Sequence, residues 1–235
     1  METSMPERSP LWVLVPVKNL QDAKQRLAGV LSAAERQALF HAMLEDVLSV
    51  LARCRGLAGV MLVTRDSRAR ALALRYRARV LEEDRNRGHT AASSYGAQVL
   101  AAEGARGMLQ LPADLPLLAP ADIECLLQAH GHAPAVTLAP SRDARGSNAV
   151  ACSPPDLLPL RFGDDSYMPH VARARALGVE PGIVERPGLA LDVDTPADLL
   201  AFLEAPSATR AYRYLCSSGI AARLNGAANP QPALP

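Results

Sequence analysis

No hydrophobic stretch in this 235-residue chain approaches the ~20 residues that a bilayer-crossing helix needs. Met1 to Pro10 is polar and carries two prolines without an apolar core, so the reading is a cytoplasmic protein with no signal peptide. Cysteine is sparse. Cys54, Cys125, Cys152 and Cys216 form no Cys-x-x-Cys pair and have no histidine at zinc-ligand spacing, which removes both a disulfide framework and a zinc site. An excess of one charge is also missing: 25 Lys and Arg face 24 Asp and Glu, so no net field draws nucleic acid or an anionic membrane. An anionic ligand must therefore be held by local charges. Finally, neither Gly-x-Gly-x-x-Gly nor the P-loop pattern is present, so neither dinucleotide binding nor P-loop hydrolysis is supported.

What the chain does have is apolar mass, 49% of its residues, arranged in alternating patterns. Leu11-Trp12-Val13-Leu14-Val15, bounded by prolines, reads as a strand buried on both faces, the mark of a parallel sheet. Ser32-Ala33-Ala34-Glu35 has the capping-box form, and Leu39, Phe40, Met43, Leu44, Val47, Leu48 and Leu51 follow at helical spacing. Strands are expected at 60–64, 78–81, 107–111, 135–139, 149–152 and 189–194. Helices are expected at 67–76, within 88–103, where a loop enters an alanine-rich helix, at 120–129, at 171–177 and after Thr195, where Pro196 and Asp198 complete a cap. This alternation predicts an α/β fold: a doubly wound, mostly parallel sheet in a single α-β-α layered domain with right-handed crossovers. The domain spans 11–204, after a flexible N-terminus at 1–10. Residues 205–235 form an extension, partly disordered or, through Tyr212-Arg213-Tyr214-Leu215, in a homodimer contact.

Met108 to Leu117 places a carboxylate, Asp114, between Pro112 and Pro116 at the end of an apolar strand, where open α/β sheets bind ligands. Asp114 reads either as a metal ligand or as a cap on the next helix. Asp192 and Asp194, two apart on an expected strand, point to one face while Leu191 and Val193 point to the other. At ~4 Å and an effective dielectric of ~20, two such charges repel by roughly 4 kcal/mol, which a divalent cation removes. All-oxygen ligands favour Mg²⁺ or Mn²⁺ over zinc. The alternative is that both aspartates favour a helix dipole. Lys18, Lys24 and Arg26 lie on the loop after the first strand, placed to clamp a triphosphate or simply solvated.

Asp192-Val193-Asp194-Thr195 also matches the first motif of haloacid-dehalogenase-like phosphatases, but there the motif ends the first strand, whereas here only 196–235 follow. A glycosyltransferase acting on a nucleotide-sugar, a nucleotidyltransferase for a sugar phosphate or the molybdenum cofactor, and a non-catalytic nucleotide-binding subunit all remain open on spacing alone.

Four segments together resemble one family. They are Val15-Pro16-Val17-Lys18 with Ala23-Lys24-Gln25-Arg26-Leu27, then Leu111-Pro112-Ala113-Asp114-Leu115-Pro116, then Gly146-Ser147-Asn148 with Phe162-Gly163-Asp164-Asp165-Ser166, and Leu191-Asp192-Val193-Asp194-Thr195-Pro196. In this order they are similar to the 2-phospho-L-lactate, phosphoenolpyruvate and 3-phospho-D-glycerate guanylyltransferases of coenzyme F-420 biosynthesis. The resemblance covers Leu11 to about Leu203 and implies a GT-A-like nucleotidyltransferase fold.

It further implies that Asp114, Asp192 and Asp194 hold Mg²⁺, that Lys18 joins them in catalysis, and that Lys18, Lys24, Arg26, Gly88, His89 and Thr90 bind GTP. Ser147, Asn148, Gly163 and Ser166 fall where the family binds a small phosphorylated carboxylic acid. Two departures stand out: the usual Gly-Leu-Asn-x-Ala reads Gly88-His89-Thr90-Ala91-Ala92, and Gly-Thr-Asn reads Gly146-Ser147-Asn148. The polar His89 and Thr90 tilt the expected acceptor toward 3-phospho-D-glycerate. A phosphate monoester, with its second pKa near ~6, is largely dianionic at neutral pH and needs no general base. No catalytic histidine is therefore expected; His170 is placed either to help hold the acceptor or for a structural role.

Overall fold

In the computed structural model, which describes residues 10–18, 24–85 and 87–228, the first apolar run becomes strand β1, Leu11–Pro16. Of the flexible N-terminus expected at 1–10, residues 1–9 lie outside the described residues, as do residues 19–23 of the loop after β1. The other strands are β2 (Leu57–Val63), β3 (Arg79–Leu81), β4 (Met108–Gln110), β5 (Ala135–Pro140), β6 (Ser147–Ser153) and β7 (Gly182–Ile183). They line up as β3-β2-β1-β4-β6-β5-β7. Six run parallel; β6 alone runs against both of its neighbours. Expectation and structure agree on a mostly parallel sheet, with β1 and β4 adjacent in its interior.

Helices α1 (Ala33–Leu51), α2 (Ser67–Arg75), α3 (His89–Ala102), α4 (Pro120–Ala129), α5 (Tyr167–Ala176), α6 (Pro187–Ala190), α7 (Pro196–Leu203), α8 (Arg210–Ser217) and α9 (Ile220–Ala228) complete the described residues. Leu39, Met43, Val47, Ile123, Leu199 and Phe202 join Val13, Val15 and Leu109 in a core on one face of the sheet. Ala97, Leu100, Val171 and Ala174 join Leu14, Met61 and Val150 on the other. Alternate residues of β1 therefore feed opposite cores, which is why its sequence is apolar without a break. Both expected caps form. Ser32 Oγ accepts from Glu35 N while Glu35 Oε2 accepts from Ser32 N, and Thr195 and Asp198 exchange bonds in the same way.

The structure corrects several boundaries. Residues 189–194 are not a strand: Pro187–Ala190 is the short helix α6, and 191–194 is an extended segment outside the sheet, tied by a bond from Val193 N to Asp114 O of 3.2 Å. Strand β6 begins at Ser147, within what reads as a polar loop, and α5 begins at Tyr167, four residues before Val171. The extension folds as α8 and α9. Its Ala211 and Leu215 are buried in the chain's own core, and Asp46 of α1 accepts the N–H groups of Arg210 and Ala211. The apolar patch expected at a homodimer contact is thus largely used within one chain. No helix among the described residues is long and apolar enough to cross a membrane.

Helix α3 approaches β1 closely at Gly96, where a Cβ would overlap the Leu14 side chain and crowd Val63. Gly96→Val should cost roughly 2–3 kcal/mol by overpacking, and lower Tm by about 5–10 °C in a thermal melt. An unchanged Tm would mean that α3 has room to move off the sheet.

Candidate active site

The carboxyl ends of β1 and β4 and the reversed start of β6 meet at one edge of the sheet, under a cleft of about 710 Å³. Lys18 follows β1, Asp114 follows β4, Ser147 and Asn148 open β6, and His89 and Thr90 open α3. Residues 162–166 and 190–198 close the cleft from the far side. The order of contributions is therefore the one that places ligands outside the carboxyl ends of strands.

At its floor lies an ammonium among carboxylates. Lys24, just before a single 3-10 turn at Gln25–Leu27, has a left-handed backbone (φ 56) that turns its side chain inward. Its Nζ donates to Asp114 Oδ2 and, at 2.6 Å, to Asp194 Oδ1, and stands 5.6 Å from the centre of the Phe40 ring. Burial alone would push the Lys24 ammonium down, but the charges of Asp114 and Asp194 outweigh it and hold it above the usual lysine range. For Asp194 burial works upward, yet Lys24 wins and the carboxyl is held below its ordinary value. Asp114 moves up because its burial exceeds what Lys24 returns, and its Oδ1 is buried with no hydrogen-bond partner.

Asp192 is the third carboxylate. Asn148 Nδ2 donates to Asp192 Oδ1 at 3.0 Å and to the carbonyls of Leu189 and Ala190 at 2.9 and 3.2 Å. Asn148, expected at the substrate, thus uses its amide nitrogen to orient a carboxylate. Burial first, then the neighbouring Asp114 charge, push Asp192 up to about 6. Leu191 and Val193, which alternate with the two aspartates, are buried in the core, so the alternation expected of a strand survives without the sheet.

Among the described residues no three His, Cys, Asp or Glu side chains close into a metal cage, because Lys24 stands between Asp114 and Asp194. The donor chemistry nonetheless suits a hard divalent cation: Asp114 and Asp194 share one ammonium, Asp192 adds a third carboxyl beside Asp114, and one buried carboxylate oxygen is unmatched.

The rim and the far wall hold the remaining expected residues. Lys18 is exposed at the cleft, and Arg26 pairs with Asp164 at 2.8 Å across the cleft mouth. Thr90 Oγ1 accepts from Phe162 N at 3.0 Å and donates to Phe162 O at 3.3 Å. His89 Nε2 sits 3.2 Å from Gln110 Nε2, and its ring meets Phe162 edge-on at 4.7 Å. Burial, then Lys18, push His89 down to about 4, so it is neutral. His89 and Thr90 therefore brace the loop carrying Gly163 and Ser166, and their polarity does not by itself select among acceptor acids. Sequence reasoning missed Phe162 as the centre of this brace. It also missed Arg142, which lines the cleft and pairs with Asp198 at 3.0 Å. A polar loop gives no sign of which of its cations turns inward.

Comparison with known proteins bears on the family and the fold. A family described as guanylyl transferase CofC like matches residues 11–231. The chain is 39% identical over 194 residues to a phosphoenolpyruvate guanylyltransferase of Conexibacter woesei, covering 82% of this chain and 87% of that one. It is 33% identical to a 2-phospho-L-lactate guanylyltransferase of Methanothermobacter thermautotrophicus, covering 86% and 88%. It is 32% identical to a 3-phospho-D-glycerate guanylyltransferase of Colwellia psychrerythraea, covering 88% and 98%. Among solved structures, the fold is shared with a protein of Desulfovibrio desulfuricans provisionally assigned as a nucleotide-diphospho-sugar transferase, at TM-score 0.74 and 18% identity over 92% of this chain and 98% of that one. A nucleotidyl transferase from Methanothermobacter shares it at TM-score 0.60 and 20% identity, covering 88% and 99%.

The raised carboxyl of Asp192 has a definite sign. Its folded value of about 6 lies above the ordinary 3.8, so the native protein keeps a proton that the unfolded chain releases, and stability falls as pH rises across that window. Without divalent cations, Asp192→Asn should raise Tm relative to the unsubstituted protein above pH 6.5 and leave it unchanged near pH 4. A gain independent of pH would contradict this assignment.

Proposed function

The chain belongs to the CofC-like guanylyltransferase family, and on that premise we propose that it transfers GMP from GTP to the phosphate of a small phosphorylated three-carbon acid. The product would feed coenzyme F-420 assembly, as the family resemblance implies. The observation that carries this reading is the convergence, in one cleft, of the carboxylate cluster, the cations Lys18 and Arg26, and the serine pair Ser147 and Ser166. Two anions can be held there with their phosphorus centres adjacent.

In the reaction, an oxygen of the acceptor phosphate attacks the α-phosphorus of GTP. The bond from that phosphorus to the bridging β-oxygen breaks, and pyrophosphate leaves with the electron pair. No proton has to be removed from a dianionic phosphate, which accords with the neutral His89 and His170 beside the cleft. Lys18 and Arg26 supply positive charge toward the triphosphate, while Ser147 and Ser166 orient the acid. Asp114, Asp192 and Asp194 would hold Mg²⁺, which when bound screens the triphosphate and the leaving pyrophosphate. Phosphoenolpyruvate, 2-phospho-L-lactate and 3-phospho-D-glycerate all present the required phosphate and carboxylate.

Incubation with GTP, Mg²⁺ and each acid in turn should release pyrophosphate with at least one of them and stop on chelation. A nucleoside diphosphate released from a nucleotide-sugar would mark a glycosyltransferase instead, and GTP-dependent protection against melting without turnover would mark a binding subunit. Asp114→Asn should lower turnover by at least about a hundredfold while the circular dichroism spectrum is unchanged. Retained turnover would remove Asp114 from the reacting centre.

A further inference from the structure

We infer that His170 is a positioning residue for the acceptor end of the cleft, fixing the Ser147 hydroxyl as a hydrogen-bond donor toward the anion bound there. The guanylyl-transfer reading enters only in naming that anion as the phosphorylated acid.

His170, on α5, is fully buried and contributes no surface to the cleft. Its Nε2 lies 3.1 Å from the backbone N of Arg161, and its Nδ1 lies 2.9 Å from Ser147 Oγ. A backbone N–H can only donate, so Nε2 must accept and the ring proton must sit on Nδ1. Nδ1–H then donates to Ser147 Oγ, and the serine's own proton is turned elsewhere. Burial, with Arg173 adding to it, pushes the ring down to about 4, so this neutral tautomer persists at physiological pH. Phe162, edge-on at 5.3 Å, fixes the ring plane.

Ser147 lines the cleft, and Ser166 beside it is set in the same way. Ser166 Oγ accepts the backbone N–H of Ser147 at 2.9 Å, which leaves its hydroxyl proton for the cleft. Two buried hydroxyls thus present protons, not lone pairs, to the same space. That arrangement suits a carboxylate or phosphate oxygen and penalises a neutral donor group. Because His170 reaches the ligand only through Ser147, its removal should alter affinity for the acid and leave the nucleotide untouched.

The test is calorimetric binding of phosphoenolpyruvate to the full chain in the presence of Mg²⁺ and α,β-methylene-GTP. His170→Asn places an amide nitrogen where Nδ1 stands and can still donate to Ser147; His170→Gln reaches instead toward Arg161 and cannot. The expected result is a loss of roughly tenfold to a hundredfold for His170→Gln and for Ser147→Ala, with His170→Asn within about threefold of the unsubstituted protein. Affinity for the GTP analogue should be the same in all. Added to Ser147→Ala, His170→Gln should produce no further loss. Equal losses in His170→Asn and His170→Gln, additive losses in the double variant, or a parallel fall in nucleotide affinity would overturn the inference.

Should His170→Gln fail to fold, His170→Phe, which keeps a ring and cannot donate to Ser147, takes its place: a loss matching that of Ser147→Ala supports the inference, and unchanged affinity overturns it. Binding that follows this pattern, with no pyrophosphate released when GTP replaces the analogue, would sink guanylyl transfer and leave the His170 assignment standing. Failure to bind phosphoenolpyruvate, 3-phosphoglycerate and inorganic phosphate alike would sink the assignment itself.

Discussion

The contact between Lys24 and two aspartates is the constraint on which the rest of the site depends. Lys24 is 90 residues from Asp114 and 170 from Asp194, so one ammonium joins the first, middle and last parts of the chain. A left-handed backbone at a non-glycine residue costs about 1–2 kcal/mol, and drawing an ammonium out of water costs more. Only the carboxylates can offset those terms. In turn, Asp114, Asp192 and Asp194 could not share one wall of a cleft without a cation, since close carboxylates repel by roughly 4 kcal/mol per pair at an effective dielectric of ~20. The cluster is thus built to carry more negative charge than its resident cation neutralises.

A second constraint links the two ends of the cleft. Thr90 grips the backbone of Phe162 on both its N–H and its carbonyl, and the Phe162 ring lies between His89 and His170. The start of α3, which lines the cleft, is therefore mechanically joined to the loop that carries Gly163 and Ser166. Two neutral histidines can flank one aromatic ring because neither demands a counter-charge.

Much of this was legible in the residues. β1, α1 and α4 follow from apolar periodicity and caps, and Pro112 and Pro116 mark the turn that presents Asp114. The facing of Asp192 and Asp194 was read correctly from their spacing, although the segment is extended chain and not a strand, because burying Leu191 and Val193 fixes orientation with or without a ladder. The partners were not legible. That Lys24 turns inward while Lys18 remains exposed depends on a left-handed φ that no local pattern signals. Asn148 bonding to Asp192, and Thr90 to Phe162, are meetings across 44 and 72 residues that only the tertiary fold creates. Strand β7 has two residues, too few to show a period.

The single reversed strand has a consequence for how the site can vary. Since β6 runs against β4 and β5, it brings its first residues, Ser147 and Asn148, to the edge where its neighbours end. Ser147 therefore sits at the foot of a hairpin whose turn, 141–146, is closed by bonds from Ser141 N to Gly146 O and from Gly146 N to Ser141 Oγ. Insertions or exchanges within that turn can reshape the end of the cleft lined by Ser147 while Asp114 and Lys18 keep their places after β4 and β1, so the two ends of the cleft are separately evolvable parts of one sheet.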